Sequence, residues 1–312
     1  MGSKGKLQEW SRAPPRQHKH LGLGDRSHQW RGWTYVRERE RETLSLSLAI
    51  AAHPAWKGRA SRFPSCLSLN EAMLRLRLLT WDVKDTLLRL RRPVGENYSA
   101  AARVHEVHVQ PEALDKSFHQ AYRAQSKHFP NYGLSQGLSS KQWWVDVVKQ
   151  TFRLAGVHED RLLTTIAERL YREFCSAQNW ELLPGARETL RQCHRLGIRM
   201  AVISNFDKRL ETILSHCNLR HHFEFVLTSE EAGFAKPDQR IFQQALHISG
   251  VAPQQAAHVG DNYVKDYRAA RDVGMHSFLL TRAGRANNWE LEVPKQHVLP
   301  SLPHLLSVIE KG

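Results

Sequence analysis

Residues 74–81 read LRLRLLTW, with Leu74, Leu76, Leu78 and Thr80 on one face and an almost wholly apolar carboxyl end. That pattern predicts a strand and puts Asp82 just past its end. A helical stretch follows. Pro111 suits a first helical turn, after which Leu114, Phe118, Ala121, Tyr122 and Gln125 share a face. Beyond a turn-rich link over 129–140, Trp143, Trp144, Val147, Val148, Thr151 and Phe152 repeat the stripe. Leu162, Leu163, Ile166, Ala167, Leu170, Tyr171 and Phe174 form a third. Tryptophans set in such stripes read as packing residues rather than platforms for stacked bases.

From Pro184 the pattern alternates. A helix over 185–196, stopped by Gly197, precedes the buried strand 198–203. Helices over 210–217, 238–248 and 263–273 are interleaved with strands over 225–227, 256–259 and 276–280, and a last helix covers 302–309. Alternation of this kind predicts an α/β fold: a Rossmann-like parallel sheet with helices on both faces and ligands at the carboxyl ends of the strands. The helical block, inserted after the first strand, is placed to sit over that edge as a cap. The predicted organisation is a core of residues 73–89 and 180–312, with the cap over 90–179.

Residues 1–72 show no sustained period. RERERE over 37–42 and LSLSL over 44–48 are two-residue repeats with no varied side chains for specific packing. We read the segment as a disordered extension, and Met73, directly before the first strand, as a candidate start of a shorter form. Charge is concentrated there: 13 Lys/Arg against 6 Asp/Glu in those residues, and 32 against 25 in the remaining 240, divide the formal net charge of +14 in half. A basic arm for nucleic acid is one reading, but alternating Glu neutralises it, and acid also argues against a transit peptide. Nucleic acid is therefore not an expected partner.

The four cysteines stand far apart without metal-ligand spacing, which predicts reduced thiols in an intracellular protein, cytoplasmic or nuclear ahead of mitochondrial. There is no apolar run of about 18 residues to span a membrane. His105 and His108 lack a carboxylate partner nearby. His221 and His222 precede a strand, where extended backbone would make their side chains diverge. Nothing in the pattern fixes the oligomeric state.

Chemistry gathers at the strand ends. Asp82-Val-Lys-Asp-Thr, Ser204-Asn205-Phe206-Asp207, Lys236-Pro237-Asp238 and Gly260-Asp261, continuing to Asp266, each follow a predicted strand. A carboxylate can act as a nucleophile beside a controlling cation, further carboxylates suit Mg²⁺, and a lysine clamps an anionic substrate. Each segment is weak alone, but four in order after four strands are a strong signal.

These segments resemble the haloacid dehalogenase-like hydrolase superfamily from Met73 to the carboxyl terminus. The resemblance implies that Asp82 is the nucleophile, Ser204 the hydroxyl that holds the transferring group, and Lys236 the cation that steadies both. Asp82, Asp261 and Asp266 take the metal positions for Mg²⁺. Thr86 matches the first motif's threonine and, with Asn205, is placed as a substrate contact. The substrate implied is a small phosphorylated molecule.

One position departs from the family's phosphatases. They carry a second Asp two residues after the nucleophile, which protonates the leaving oxygen, and here it is Lys84. General acid catalysis contributes about 10²–10⁴-fold, so its loss weakens an ordinary phosphatase. Lys84 takes over only if burial and nearby cations make its proton available. Asp85 stands where glycine is usual. The alternative is a catalytically reduced protein that binds a phosphorylated ligand or partner. Dehalogenase relatives also lack the second acid, but they dispense with metal and typically have no Asp at the Asp261 position.

Overall fold

A computed structural model describes residues 76–281 and 292–311. The predicted extension, Met73 and the first two residues of the predicted strand lie outside the described residues. Strand β1 is Leu78–Trp81. The others of its sheet are β4 (Arg199–Ser204), β5 (Phe225–Thr228), β6 (Ala256–Gly260), β7 (His276–Leu280) and β8 (Val298–Leu299). They run in the order β5-β4-β1-β6-β7-β8, and every pairing is parallel. The α/β fold read from the sequence is thus the fold observed.

β1 is central, so it is buried on both faces. Leu79 and Trp81 join one apolar cluster with Val202 and Val259, while Leu78 joins another with Ala201, Ile203 and Phe242 on the opposite side. Leu78 and Leu79 are 0% exposed. Cutting either to Ala would cost about 2–5 kcal/mol, the usual range for a core leucine.

A second, two-stranded sheet was not read from the sequence. β2 (Leu88–Leu90) and β3 (Trp180–Leu182) pair antiparallel, with Arg89 opposite Glu181. Three-residue strands carry too few positions for periodicity to show. Between them lie α1 (Val94–Arg103), α2 (Pro111–His128), α3 (Ser140–Leu154) and α4 (Asp160–Glu173). Pro111 opens α2, and the Ser139 hydroxyl caps α3 by accepting from Gln142 N. The three predicted stripes meet in a cluster of their own with Leu114, Val148, Phe152, Leu163, Ile166 and Leu170. Trp143 is a packing residue, 2% exposed with its indole N–H on the Phe129 carbonyl.

In the core, α5 (Ala186–Arg195), α6 (Arg209–His216), α7 (Ser229–Ala232) and α8 (Gln239–Ser249) alternate with the strands. The helix predicted over 263–273 is instead a π-helical stretch, Tyr263–Arg268, running into α9 (Ala269–Asp272). The final helix, α10, is His304–Lys311. His221 and His222 do not diverge: they lie in a 3-10 turn with ring centroids 4.1 Å apart, because the backbone there is not extended. Among the described residues no helix is long and apolar enough to cross a membrane.

Candidate active site

The register brings the motifs together. Trp81 is level with Val202 of β4 and Val259 of β6, so Asp82, Ser204 and Asp261 emerge from one edge of the sheet. Asp82 Oδ1 accepts from the Ser204 hydroxyl at 2.9 Å and from Lys236 Nζ at 2.8 Å. Oδ2 accepts from the buried Thr86 hydroxyl at the longer distance of 3.5 Å. One oxygen carries both firm donors, and the other is the less engaged.

Lys236 is 3% exposed and all three of its ammonium hydrogens have acceptors. They go to Asp82 Oδ1, to Asp266 Oδ1 at 2.7 Å and to the Ile203 carbonyl at 2.7 Å. Burial works against the charged form, but the two carboxylates outweigh it and hold the lysine above its ordinary pKa. Asp266 is the mirror case. Burial pushes its carboxyl up, yet the Lys236 charge and the His258 contact hold it well below the usual carboxylate range. Its Oδ2 accepts from Asn262 N at 2.9 Å. The strand end leaves no room beside it: a Cβ on Gly260 would stand 2.3 Å from Asp266 Cγ, so glycine is required by close approach.

Asn205 sits beside this network but is turned to it from behind. Its side-chain amide donates to the Lys236 carbonyl at 2.8 Å, and its oxygen accepts the Lys236 N–H at 2.7 Å. It pins the backbone that delivers the lysine. Asp238 caps α8 and Thr228 caps α7, each through its own side chain.

Lys84 differs from the rest. Its side chain is 53% exposed and its ammonium pairs with the Asp85 carboxylate at 2.7 Å. The burial needed for it to pass a proton into the site is absent. Asp85 has φ 67°, the left-handed backbone that glycine takes freely and Asp tolerates, which accounts for its standing at a position usually glycine.

Beneath the carboxylates lies a pair that sequence reasoning missed. Thr80 and His258 are register partners in β1 and β6, and both are fully buried. Thr80 Oγ1 is 2.8 Å from His258 Nδ1, and His258 Nε2 is 3.4 Å from Asp266 Oδ1. Burial, aided by the Lys236 charge, keeps the imidazole below its ordinary pKa despite Asp266. The available signal was two polar residues at central positions of otherwise apolar strands.

Oxygens of Asp82, Asp261 and Asp266 lie within 4.8 Å of one another. Among the described residues this is the only such group of three His, Cys, Asp or Glu side chains. An all-oxygen set fits a hard divalent cation and does not suit a soft one.

A family model described as haloacid dehalogenase-like hydrolase matches residues 76–274. The human haloacid dehalogenase-like hydrolase domain-containing protein 3 is 58% identical over 238 residues, which is 76% of this chain and 95% of that protein. Among solved structures, a defluorinating L-2-haloacid dehalogenase is similar with a TM-score of 0.62 at 12% identity, covering 75% of this chain and 95% of its own. A phosphatase of the same fold from Thermococcus onnurineus has a TM-score of 0.53 at 18% identity, covering 75% and 98%. Both structural likenesses speak to the fold alone.

Proposed function

The chain belongs to the haloacid dehalogenase-like hydrolase family, and on that premise we propose that it hydrolyses phosphate esters of small molecules through an aspartyl-phosphate at Asp82. The observation that carries this reading is Asp82 itself, with one oxygen held by Ser204 and Lys236 and the other left for chemistry. Asp82 Oδ2 attacks phosphorus, the bond from phosphorus to the leaving oxygen breaks with its electron pair on that oxygen, and the oxygen takes a proton from solvent water. Water then attacks phosphorus, the Asp82–phosphorus bond breaks, and phosphate leaves with the free carboxylate restored. Ser204 and Lys236 are placed to shift their hydrogen bonds from Asp82 to the phosphoryl oxygens as negative charge builds there. Thr86 supports the nucleophile from below.

Mg²⁺ is the metal that the carboxylate set suits, and Asp82, Asp261 and Asp266 are the residues that would hold it. When bound, it would supply positive charge to the phosphoryl group. Both Asp266 oxygens already serve other groups, so its main task in this reading is to orient Lys236 and the 260–262 turn. The helical insertion is the cap that covers the site.

Lys84 supports a second reading. Paired with Asp85 and half in solvent, it provides no aimed proton for a leaving oxygen, which suits a protein that holds a phosphorylated ligand more than it turns one over. A panel of phosphate monoesters, p-nitrophenyl phosphate included, assayed with Mg²⁺ and with chelator, separates the two. Turnover that needs metal and falls roughly a thousandfold or more in Asp82→Asn supports the hydrolase. Binding without phosphate release supports the second reading.

A further inference from the structure

Asp207 ends the loop that Ser204 begins. It is 0% exposed, a carboxylate wholly removed from water, and none of the chemistry above uses it. Its partners come from both parts of the molecule. From the core, Arg209 donates to it three times: Nε to Oδ1 at 2.8 Å, Nη2 to Oδ2 at 2.7 Å and its backbone N–H to Oδ1 at 3.0 Å. From the helical insertion, the Trp144 indole N–H donates to Oδ2 at 2.8 Å. Arg209 also reaches across: its Nη1 donates to the Tyr171 carbonyl at 3.0 Å, and its guanidinium lies 3.9 Å from the centroid of the Tyr171 ring and 5.5 Å from that of Trp144. Its side chain is only 10% exposed.

A second contact stands nearby. Asn131 Nδ2 donates to the Ser229 carbonyl at 2.8 Å, at the start of α7. Asn131 and Tyr132 are in left-handed backbone, with φ 46° and 63°, and Gly133 follows at 69°. Such a run costs energy for non-glycine residues and persists where surrounding contacts fix it. The insertion is thus seated on the segments after β4 and after β5.

The chain between the two ends of the Ser204 loop is short. Ser204 Oγ touches the nucleophile, Phe206 N donates back to the Ser204 carbonyl at 2.8 Å, and Asp207 grips Trp144. A shift of the insertion that pulls on Asp207 must pass through Phe206 to Ser204. We propose that Asp207 and Arg209 are positioning residues that lock the helical insertion to the Ser204 loop, so that the seating of the insertion and the alignment of Ser204 on Asp82 change together. The lock stands on contacts alone, and only its effect on turnover rests on the hydrolase reading.

The test is Trp144→Phe in the full chain, which removes one N–H and keeps a ring for Arg209. Asp207→Asn is the second variant, keeping shape while losing charge. Amide hydrogen exchange without substrate is followed over residues 140–147 and 204–210. Losing a hydrogen bond to a buried charge should speed exchange by about tenfold or more, in both segments together and in both variants. Faster exchange confined to 140–147, with 204–210 at the wild-type rate, overturns the proposal. With p-nitrophenyl phosphate and Mg²⁺, Trp144→Phe should lower kcat several-fold with KM little changed, because the small ester does not span the insertion. An unchanged kcat beside a loosened 204–210 loop would also overturn it. Asp82→Asn is the control for turnover, which it should abolish. Absence of wild-type turnover would count against the hydrolase reading, and the exchange result would still decide the lock.

Discussion

Two lysines stand within reach of the same nucleophile's loop and behave in opposite ways. Lys236 arrives from the far side of β4, is 3% exposed, and gives every ammonium hydrogen to a named oxygen. Lys84 is two residues from Asp82, is half exposed, and pairs with its own neighbour. Sequence distance therefore ranks them wrongly. What makes a charged group part of a site is desolvation with a complete set of partners, because only then does its charge act at full strength on what approaches.

The largest effect that sharpens this contrast is expected from Lys236→Met. It leaves Asp82 and Asp266 as buried carboxylates without their shared cation, which should cost about 3–5 kcal/mol of stability, read as a lower urea midpoint, and should abolish turnover. Stability within 1 kcal/mol of wild type would break the comparison. Lys84→Asp should instead raise phosphate-ester turnover by an order of magnitude or more, in line with the about 10²–10⁴-fold that a general acid supplies. The gain should be greater for alkyl esters than for p-nitrophenyl phosphate, whose leaving group departs without a proton. Equal gains would show that the introduced carboxyl does not act as the acid, and no gain beside robust wild-type turnover would make Lys84 a working part of the site.

Gly260→Ala tests the packing behind Lys236. Its methyl would meet the Asp266 side chain at 2.3–2.4 Å, so the carboxylate must move. A loss of about 1–3 kcal/mol, with weaker Mg²⁺ binding by calorimetry, is the expected outcome. The acid limb of stability tests the same carboxylate by its charge. The folded pKa of Asp266 lies below its unfolded value, so its contribution is fully present above the unfolded pKa of about 3.9. As pH falls below that, the unfolded chain takes up the proton first and stability drops toward the folded value. Urea midpoints between pH 6 and 3, taken at roughly unit steps, should slope less in Asp266→Asn. The smallest effect belongs to Lys84→Ala, whose exposed pair should be worth under about 0.5–1 kcal/mol.

Much of this was legible in the sequence. The apolar stretches before Asp82, Ser204 and Asp261 predicted parallel strands, and the register then had to deliver those residues to one edge. The α4 stripe likewise joined the apolar cluster its spacing pointed to, and Trp143 is buried. What escaped was set by contacts between distant segments. The Asn205 amide was open to a substrate role until the Lys236 backbone was seen to occupy it. Thr80 and His258 are unremarkable in their own strands, and their meaning lies in the pairing. Asp207 had a place in the motif but no visible task, since its partner Trp144 lies 63 residues away in another element.

The account stands on Asp82 as the attacking group. The direct measurement is to quench the protein in acid during turnover of p-nitrophenyl phosphate with Mg²⁺, reduce it with borohydride, and sequence its peptides by mass spectrometry. An acyl phosphate at residue 82 is reduced to homoserine, so the account predicts homoserine at that position and at no other carboxylate. Phosphate release that leaves residue 82 as unmodified aspartate, or that persists in Asp82→Asn, would contradict it.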